Sequence, residues 1–298
     1  MWVGVAIIEH SLSVLFNGLT LCIIALLLKR KSMVKMWGDS PPMVSLIVGS
    51  AVSAIANPVT NTQWIFVSAG LIPKSPNYTT FLHYPGTIAM SSGWLYDAAT
   101  LGVCLQRLYI LTHPLGNLKR ANHVVVFVTS GMAILAMGID LIVNIIFTST
   151  DIDPATDGKV YGPEKFKQVL DCFAASCMTS HVSSVSQRGR WFGFTLSLSV
   201  FITGAIFRVL LMKFSNRFPT NSTHKRMNRY TFCVLSLRFL MVFAPKAADD
   251  LIRSLFDIKL GSYIGPYGSA GGSLENFVSI LAYFLMQRKT QTYVQQFK

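Results

Sequence analysis

The chain has 298 residues, with 26 Lys and Arg against 13 Asp and Glu and a formal net charge of +13. Hydrophobic residues make up 51% and charged residues only 13%, about half the charged share of soluble domains, and mean hydropathy is +0.46. So little charge cannot cover a water-soluble surface of this size, and no basic run carries the aromatic interleaving that would point to nucleic acid.

The apolar residues lie in runs near the ~20 residues that cross a bilayer. Met1–Leu28 has no basic stretch ahead of its apolar run. Lys29-Arg30-Lys31 follows it instead, the order of a retained first helix with its N-terminus outside. Runs of this length do not alternate with period two, so helices are expected rather than barrel strands. The pattern predicts an all-α polytopic membrane protein, one domain of seven spans at about Val3–Leu28, Met43–Leu71, Phe81–Leu111, His123–Phe147, Trp191–Met212, Tyr230–Leu255 and Ile264–Met286. The sixth is the least regular, because Arg238 interrupts it and Pro245, Lys246, Asp249 and Asp250 crowd its second half. Thr148–Arg190 is the one long polar connection, opened by the turn-forming DIDPATDG.

With the N-terminus outside, Lys29–Pro42, Thr112–Asn122, Lys213–Arg229 and the short tail Gln287–Lys298 face the cytoplasm. They hold fourteen Lys and Arg against one acid, Asp39, while the longer outer segments hold nine. Excess basic residues in inner loops favour this orientation. Two Asn-x-Ser/Thr acceptors exist, and the orientation puts Asn77 outside, where it can carry a glycan, and Asn221 inside.

Enzyme signals are weak, and the reading is of a non-enzyme. GPYGSAGGS (265–273) lacks the lysine of a phosphate loop; its Gly268 and Gly272 read instead as a GxxxG that brings helices together. Cys172, Cys177 and His181 lack a fourth metal ligand, and no HExxH, GxSxG or triad pattern occurs. No metal or cofactor is implied. Whether Cys172 and Cys177 pair or stay free is open from spacing alone. Phe and Met read as lipid-facing or packed.

Ionisable residues inside spans are costly and mark function by default. Here they are Glu9, Asp97, Asp140, Arg238 and Glu275, with Lys246 near the outer face. A polar network is expected in which Asp97 or Glu275 opposes Arg238, either as a ligand-responsive element or as a structural ion pair. Glu9 and His10 are expected at the membrane interface.

LGVCLQRLYILTHPL (101–115) places Arg107 seven residues before Pro114-Leu115, Asn17 lies twelve residues before Lys29, and SILAYFLMQRK carries Ser279 and Tyr283. This set resembles the rhodopsin-like receptor signature. HYPGTIAMSSGW (83–94), DCFAASC (171–177), FGFTLSLS (192–199) and SYIGPYGSAGGSLENFVSILAYFLMQRK (262–289) more closely resemble the nematode serpentine chemoreceptors, in particular the class bc (Srbc) family. The resemblance implies a plasma-membrane receptor of sensory neurons that detects a small environmental or pheromone-like molecule and activates a heterotrimeric G protein. Polar and aromatic groups on the outer half of the spans, Tyr84, Trp94, Asp97, Lys246 and Tyr263, are the candidate ligand contacts. Arg107, Pro114, Leu115 and Arg226 are the candidate G-protein contacts.

The departures from that pattern carry expectations of their own. Gln106 replaces the acid before Arg107 and Leu108 the aromatic after it, so the arginine lacks a neighbouring ion pair. Leu82 stands where rhodopsin-like receptors place a disulfide cysteine, so that bond cannot form. Ala89 stands where aminergic receptors keep an acid, so biogenic amines are not expected to act. The alternative reading is a small-solute transporter or channel; Asn57-Pro58 and Pro245 would supply its broken helices, but no internal repeat accompanies them.

Overall fold

In a computed structural model the chain is described over residues 2–75, 78–113, 116–150, 183–214, 222–256 and 267–296, with 167, 172–175, 177 and 178 from the intervening segment. The described residues are almost wholly helical and contain no strand. Helix α1 (Trp2–Arg30) ends on Lys29 and Arg30, cations placed at the negative end of its dipole. After the short α2 (Met33–Asp39), α3 (Pro41–Ser68) opens on prolines, whose missing N–H is no loss in a first turn. It closes in a Schellman motif: Gly70 takes φ +76°, and Gly70 and Leu71 donate back to the carbonyls of Val67 and Phe66.

Helices α4 (Thr79–Thr112), α5 (Leu118–Thr150) and α6 (Ser183–Phe214) follow. Then α7 (Ser222–Arg238) passes through a π-turn (Phe239–Phe243) into α8 (Ala244–Phe256), and α9 (Tyr267–Gln296) ends the described chain. Arg238 and Pro245 therefore do not end the sixth apolar run; the helical path widens by one π-turn and continues.

Among the described residues five stretches are long and apolar enough to cross a bilayer: Val3–Arg30, Pro41–Ser68, Leu118–Val143, Trp191–Lys213 and Asn228–Asp249. These are the makings of a multi-pass helical membrane protein. Where seven were expected, α4 and α9 fall short in hydropathy despite their 34 and 30 residues. The reason is their inward polar cargo, Ser91, Ser92, Asp97, Thr100 and Gln106 on α4 and Ser273, Glu275, Asn276 and Ser279 on α9, all buried. By contrast α5 turns Phe127, Met132, Ile134 and Leu135 outward, with Phe127 81% exposed, a surface suited to lipid and not to water.

Helix α4 lies at the centre, packed on α3, α5 and α6 and touching α7, while α9 packs on α1, α7 and the π-turn. One apolar core gathers Ile24, Met43, Ile47, Val103, Val234 and Ile280 at the end of the bundle nearer Arg107. A second, at the opposite end, gathers Trp64, Val67 and Leu82 around Cys172, Cys177 and Met178.

Two prolines are accommodated across helices. Pro85 cannot donate to the carbonyl of Phe81 four residues back, and Gln63 Nε2 of α3 donates there at 3.4 Å. Pro245 likewise cannot serve the carbonyl of Met241, and that oxygen stands 2.6 Å from where a Cβ on Gly271 would lie. Gly271 is thus the glycine that permits close approach of α9. Gly268 and Gly272, expected as a GxxxG contact, have no atom of another described element within 4 Å of where a Cβ would stand. We predict that Gly271→Ala lowers stability by about 1–3 kcal/mol through overpacking, while Gly268→Ala is neutral or stabilising. Thermal unfolding of the two variants in detergent measures the difference, and equal melting temperatures would refute it.

Candidate functional site

Three buried charges meet where α4, α7 and α9 face one another. Arg238 Nη2, at the last residue of α7, donates to Asp97 Oδ1 of α4, and its Nη1 stands 3.5 Å from Glu275 Oε2 of α9. Relative exposures of 3%, 7% and 1% for Arg238, Asp97 and Glu275 place all three inside the bundle. Tyr96 donates its hydroxyl to Glu275 Oε1 at 2.7 Å, and the Arg238 guanidinium lies over the Tyr96 ring, 5.2 Å from its centroid. Ser279 also donates to Glu275 and Ser197 of α6 to Asp97, both at 3.3 Å. Two carboxylates thus share one guanidinium, and the cluster has an excess of negative charge when all three ionise. Burying such ions costs several kcal/mol each, which mutual attraction and the satellite hydroxyls offset.

Beside this cluster a cavity of about 360 Å³ lies between α6 and the α7–π-turn segment. Phe201, Phe232, Phe239 and Phe243 line it, and Arg238 forms part of its wall. Phe201 stacks on both Phe239 and Phe243 with centroids 5.1 Å apart. Sequence reasoning passed over these rings, because a phenylalanine on an apolar span reads equally as lipid-facing. It also missed Tyr96, whose polar role depends on α9 lying opposite.

On the side of the bundle formed by α1, α3 and α9 a hydrogen-bonded seam joins those three helices. The Ser13 and Ser273 hydroxyls are 2.7 Å apart, Asn17 Nδ2 donates to Ser273 at 2.9 Å, and Asn61 Nδ2 donates to Ser13 at 2.9 Å. His10 belongs to this seam. It is buried, with Nδ1 2.7 Å from Asn61 Oδ1 and Nε2 2.9 Å from the carbonyl of Phe173. Phe173 lies inside a loop closed by a Cys172–Cys177 disulfide. Lys74 donates to the Cys172 carbonyl at 2.8 Å and covers the Phe173 ring. Leu82 packs against that disulfide loop, so apolar contact stands where the expected receptor pattern has a covalent bond.

Of the expected ligand contacts, Trp94 is buried with its ring 4.8 Å from Phe192, and Tyr84 is half-buried with its ring against His83. Asp97 is committed to Arg238. Tyr263 lies outside the described residues, as does the side chain of Lys246 on α8. Arg107 is buried near the far end of α4, with no acceptor for its Nε. Gln106, in the place of the expected acid, accepts from Ser40 at 3.1 Å and donates to Asn122 at 2.9 Å. Pro114, Leu115, Asn77, Asn221 and the side chain of Arg226 lie outside the described residues. Asp140 accepts from Ser91 at 2.8 Å, tying α5 to α4. Among the described residues no three His, Cys, Asp or Glu side chains gather to hold a metal.

No family model matches the chain, and no curated protein matches its sequence.

The triad makes an asymmetric prediction. Asp97→Ala leaves Arg238 with only the looser Glu275 contact and should cost about 3–5 kcal/mol, as for other broken buried pairs. Glu275→Gln keeps an amide oxygen for Tyr96 and Ser279 and leaves a neutral Asp97–Arg238 pair, so it should cost much less. Melting temperatures of both variants in the same detergent decide this; equal losses would mean that the Asp97 pairing is not the dominant one.

Proposed function

We propose that the chain is a seven-span chemosensory receptor of the nematode serpentine class bc kind. In this reading it binds a small environmental or pheromone-like molecule in the outer half of the bundle and activates a heterotrimeric G protein on the cytoplasmic side. The observation that carries the reading is the Asp97–Arg238–Glu275 cluster. It ties α4, α7 and α9 together beside the π-turn, so a ligand that alters one contact biases the packing of all three. Counting α4 and α9 as spans gives seven, their polar side chains being sheltered by the five apolar helices around them. The N-terminus and the disulfide loop then face outward at the plasma membrane of a sensory neuron, and Arg107, Pro114, Leu115 and Arg226 lie toward the cytoplasm. A small-solute transporter or channel would also favour buried charges, but the chain has no repeated half to support it.

Signalling and topology are tested separately. Arg107→Ala should reach the cell surface normally yet lose agonist-driven G-protein activation; a variant that signals like its parent would remove that arginine from the coupling site. For topology, any glycosidase-sensitive gel shift in expressing cells should vanish in Asn77→Gln and be unaffected by Asn221→Gln. The basic neighbours Arg217, Lys225 and Arg226 oppose translocation of Asn221, so a glycan found there would invert the bundle and end the receptor reading.

A further inference from the structure

We infer that the cavity between α6 and the α7–π-turn segment is a groove for one acyl chain of an anionic phospholipid, with the Arg208 guanidinium on the lipid phosphate. The inference goes beyond the receptor reading and does not depend on it. The cavity of about 360 Å³ follows an antiparallel pair of helices. Phe201 stacks on Phe239 at one level, Gly204 meets Leu235 at the next, and Arg208 meets Phe232 at the end. Along α6 its lining runs from Ser197 to Arg208, ~16 Å at the helical rise. That is close to half of the ~30 Å hydrocarbon core, the depth one leaflet's chains fill. The wall is mostly aliphatic and aromatic, and Phe201, Phe239 and Leu240 are exposed at its rim, so a chain can enter from the lipid side. Gly204 and Ala205 make room in the wall; a Cβ on Gly204 would stand 2.8 Å from Leu235 Cδ2.

The charge available to a ligand stands at one end. Arg208 is exposed, its guanidinium lies over the Phe232 ring 4.3 Å from the centroid, and among the described residues it makes no salt bridge. Arg238, the other cation of the wall, is already matched by Asp97 and Glu275, neither of which lines the groove. With no carboxylate residue in the wall, an anionic head meets no like charge there. An arginine near the end of a span commonly does no more than reach for the interface. This one caps a groove that accepts a chain, and phosphate matches the bidentate fork of a guanidinium. Exposed Lys213 and Arg229 stand at the same end of α6 and α7, and the stretch 213–229 holds five Lys and Arg and no acid. That field favours a lipid of net negative charge over a zwitterionic one. A free fatty acid would suit the groove, but its carboxylate meets Arg208 alone, whereas a phospholipid headgroup also spans the neighbouring cations.

The test places the purified protein in phosphatidylcholine nanodiscs that contain a small fraction of phosphatidylserine with a diazirine in one acyl chain. After irradiation, adducts are mapped by peptide mass spectrometry. They should concentrate on the groove residues of α6 and α7, exceed those from phosphatidylcholine carrying the same chain, and be competed by unlabelled phosphatidylserine. Arg208→Gln, a change at an exposed site, should cut this labelling about fivefold, and Arg208→Lys should restore part of it. Ala205→Phe fills the groove while leaving Arg208 in place and should lower labelling at least as far; should it fail to fold, the Arg208 variants decide alone. Equal labelling by the two lipid probes, adducts spread evenly over the exposed face of α5, or undiminished labelling in Arg208→Gln would overturn the inference. So would stronger labelling by the diazirine fatty acid, which makes the ligand a free acid, or discs holding two copies that shut the probe out of the groove, which gives it to a second chain.

Discussion

A guanidinium buried at 3% exposure has no water to turn to, and much of this fold follows from keeping Arg238 supplied with partners. Its two carboxylates come from helices on different sides, Asp97 on α4 and Glu275 on α9, so charge pairing fixes three helices at one point. The carboxylates in turn need donors, which explains why Tyr96, Ser197 and Ser279 point at them. The same demand explains the hydropathy of the chain. Helices that carry the partners and their satellites cannot also be uniformly apolar, so α4 and α9 lie at the interior while α1, α5 and α6 present apolar surface outward.

Around that point the bundle is built unequally. On the side of α1, α3 and α9, a row of serine, asparagine and histidine side chains joins the helices, and the disulfide loop is fastened to it through His10 and Lys74. Hydrogen bonds of this kind require specific geometry and resist sliding. On the side of α6 and α7 the contacts are stacked phenylalanines and a cavity, with the π-turn and Pro245 next to it. Apolar rings can exchange neighbours with little loss, and a helix that lacks one N–H donor bends there at lower cost. The contacts between α6 and α7 are therefore the less directional of the two sets, and those of the seamed side the more specific.

The class of the protein was legible in the sequence because composition and run length are one-dimensional properties, and a bilayer constrains both. The pairing of an acid with Arg238 was legible for a similar reason, since a buried charge inside an apolar run must find its opposite. What failed depended on the rotation of helices about their axes. Gly268 and Gly272 form a motif on paper, yet the helix turns Gly271, one residue away, toward Met241. The partners that the fold brings to His10, Asn61 and Phe173, likewise could not be read from its place in the chain. The phenylalanines of the cavity were invisible, because outward and inward rings share one spelling. The open pairing of Cys172 and Cys177 was settled by the loop's own closure, which needs no partner from α4.

The two buried arginines divide the work between them. Among the described residues Arg107 makes no salt bridge, and its neighbour Gln106 holds the end of α4 through neutral hydrogen bonds to Ser40 and Asn122. Each such bond is worth about 1 kcal/mol net, whereas separating a buried charge pair costs several times more. The polar contacts at the end of α4 are therefore weaker than those at its middle. The charge pairing that joins helices therefore sits in the middle of the bundle, at Arg238, while the Arg107 end is held by neutral hydrogen bonds and by the apolar core around Val103.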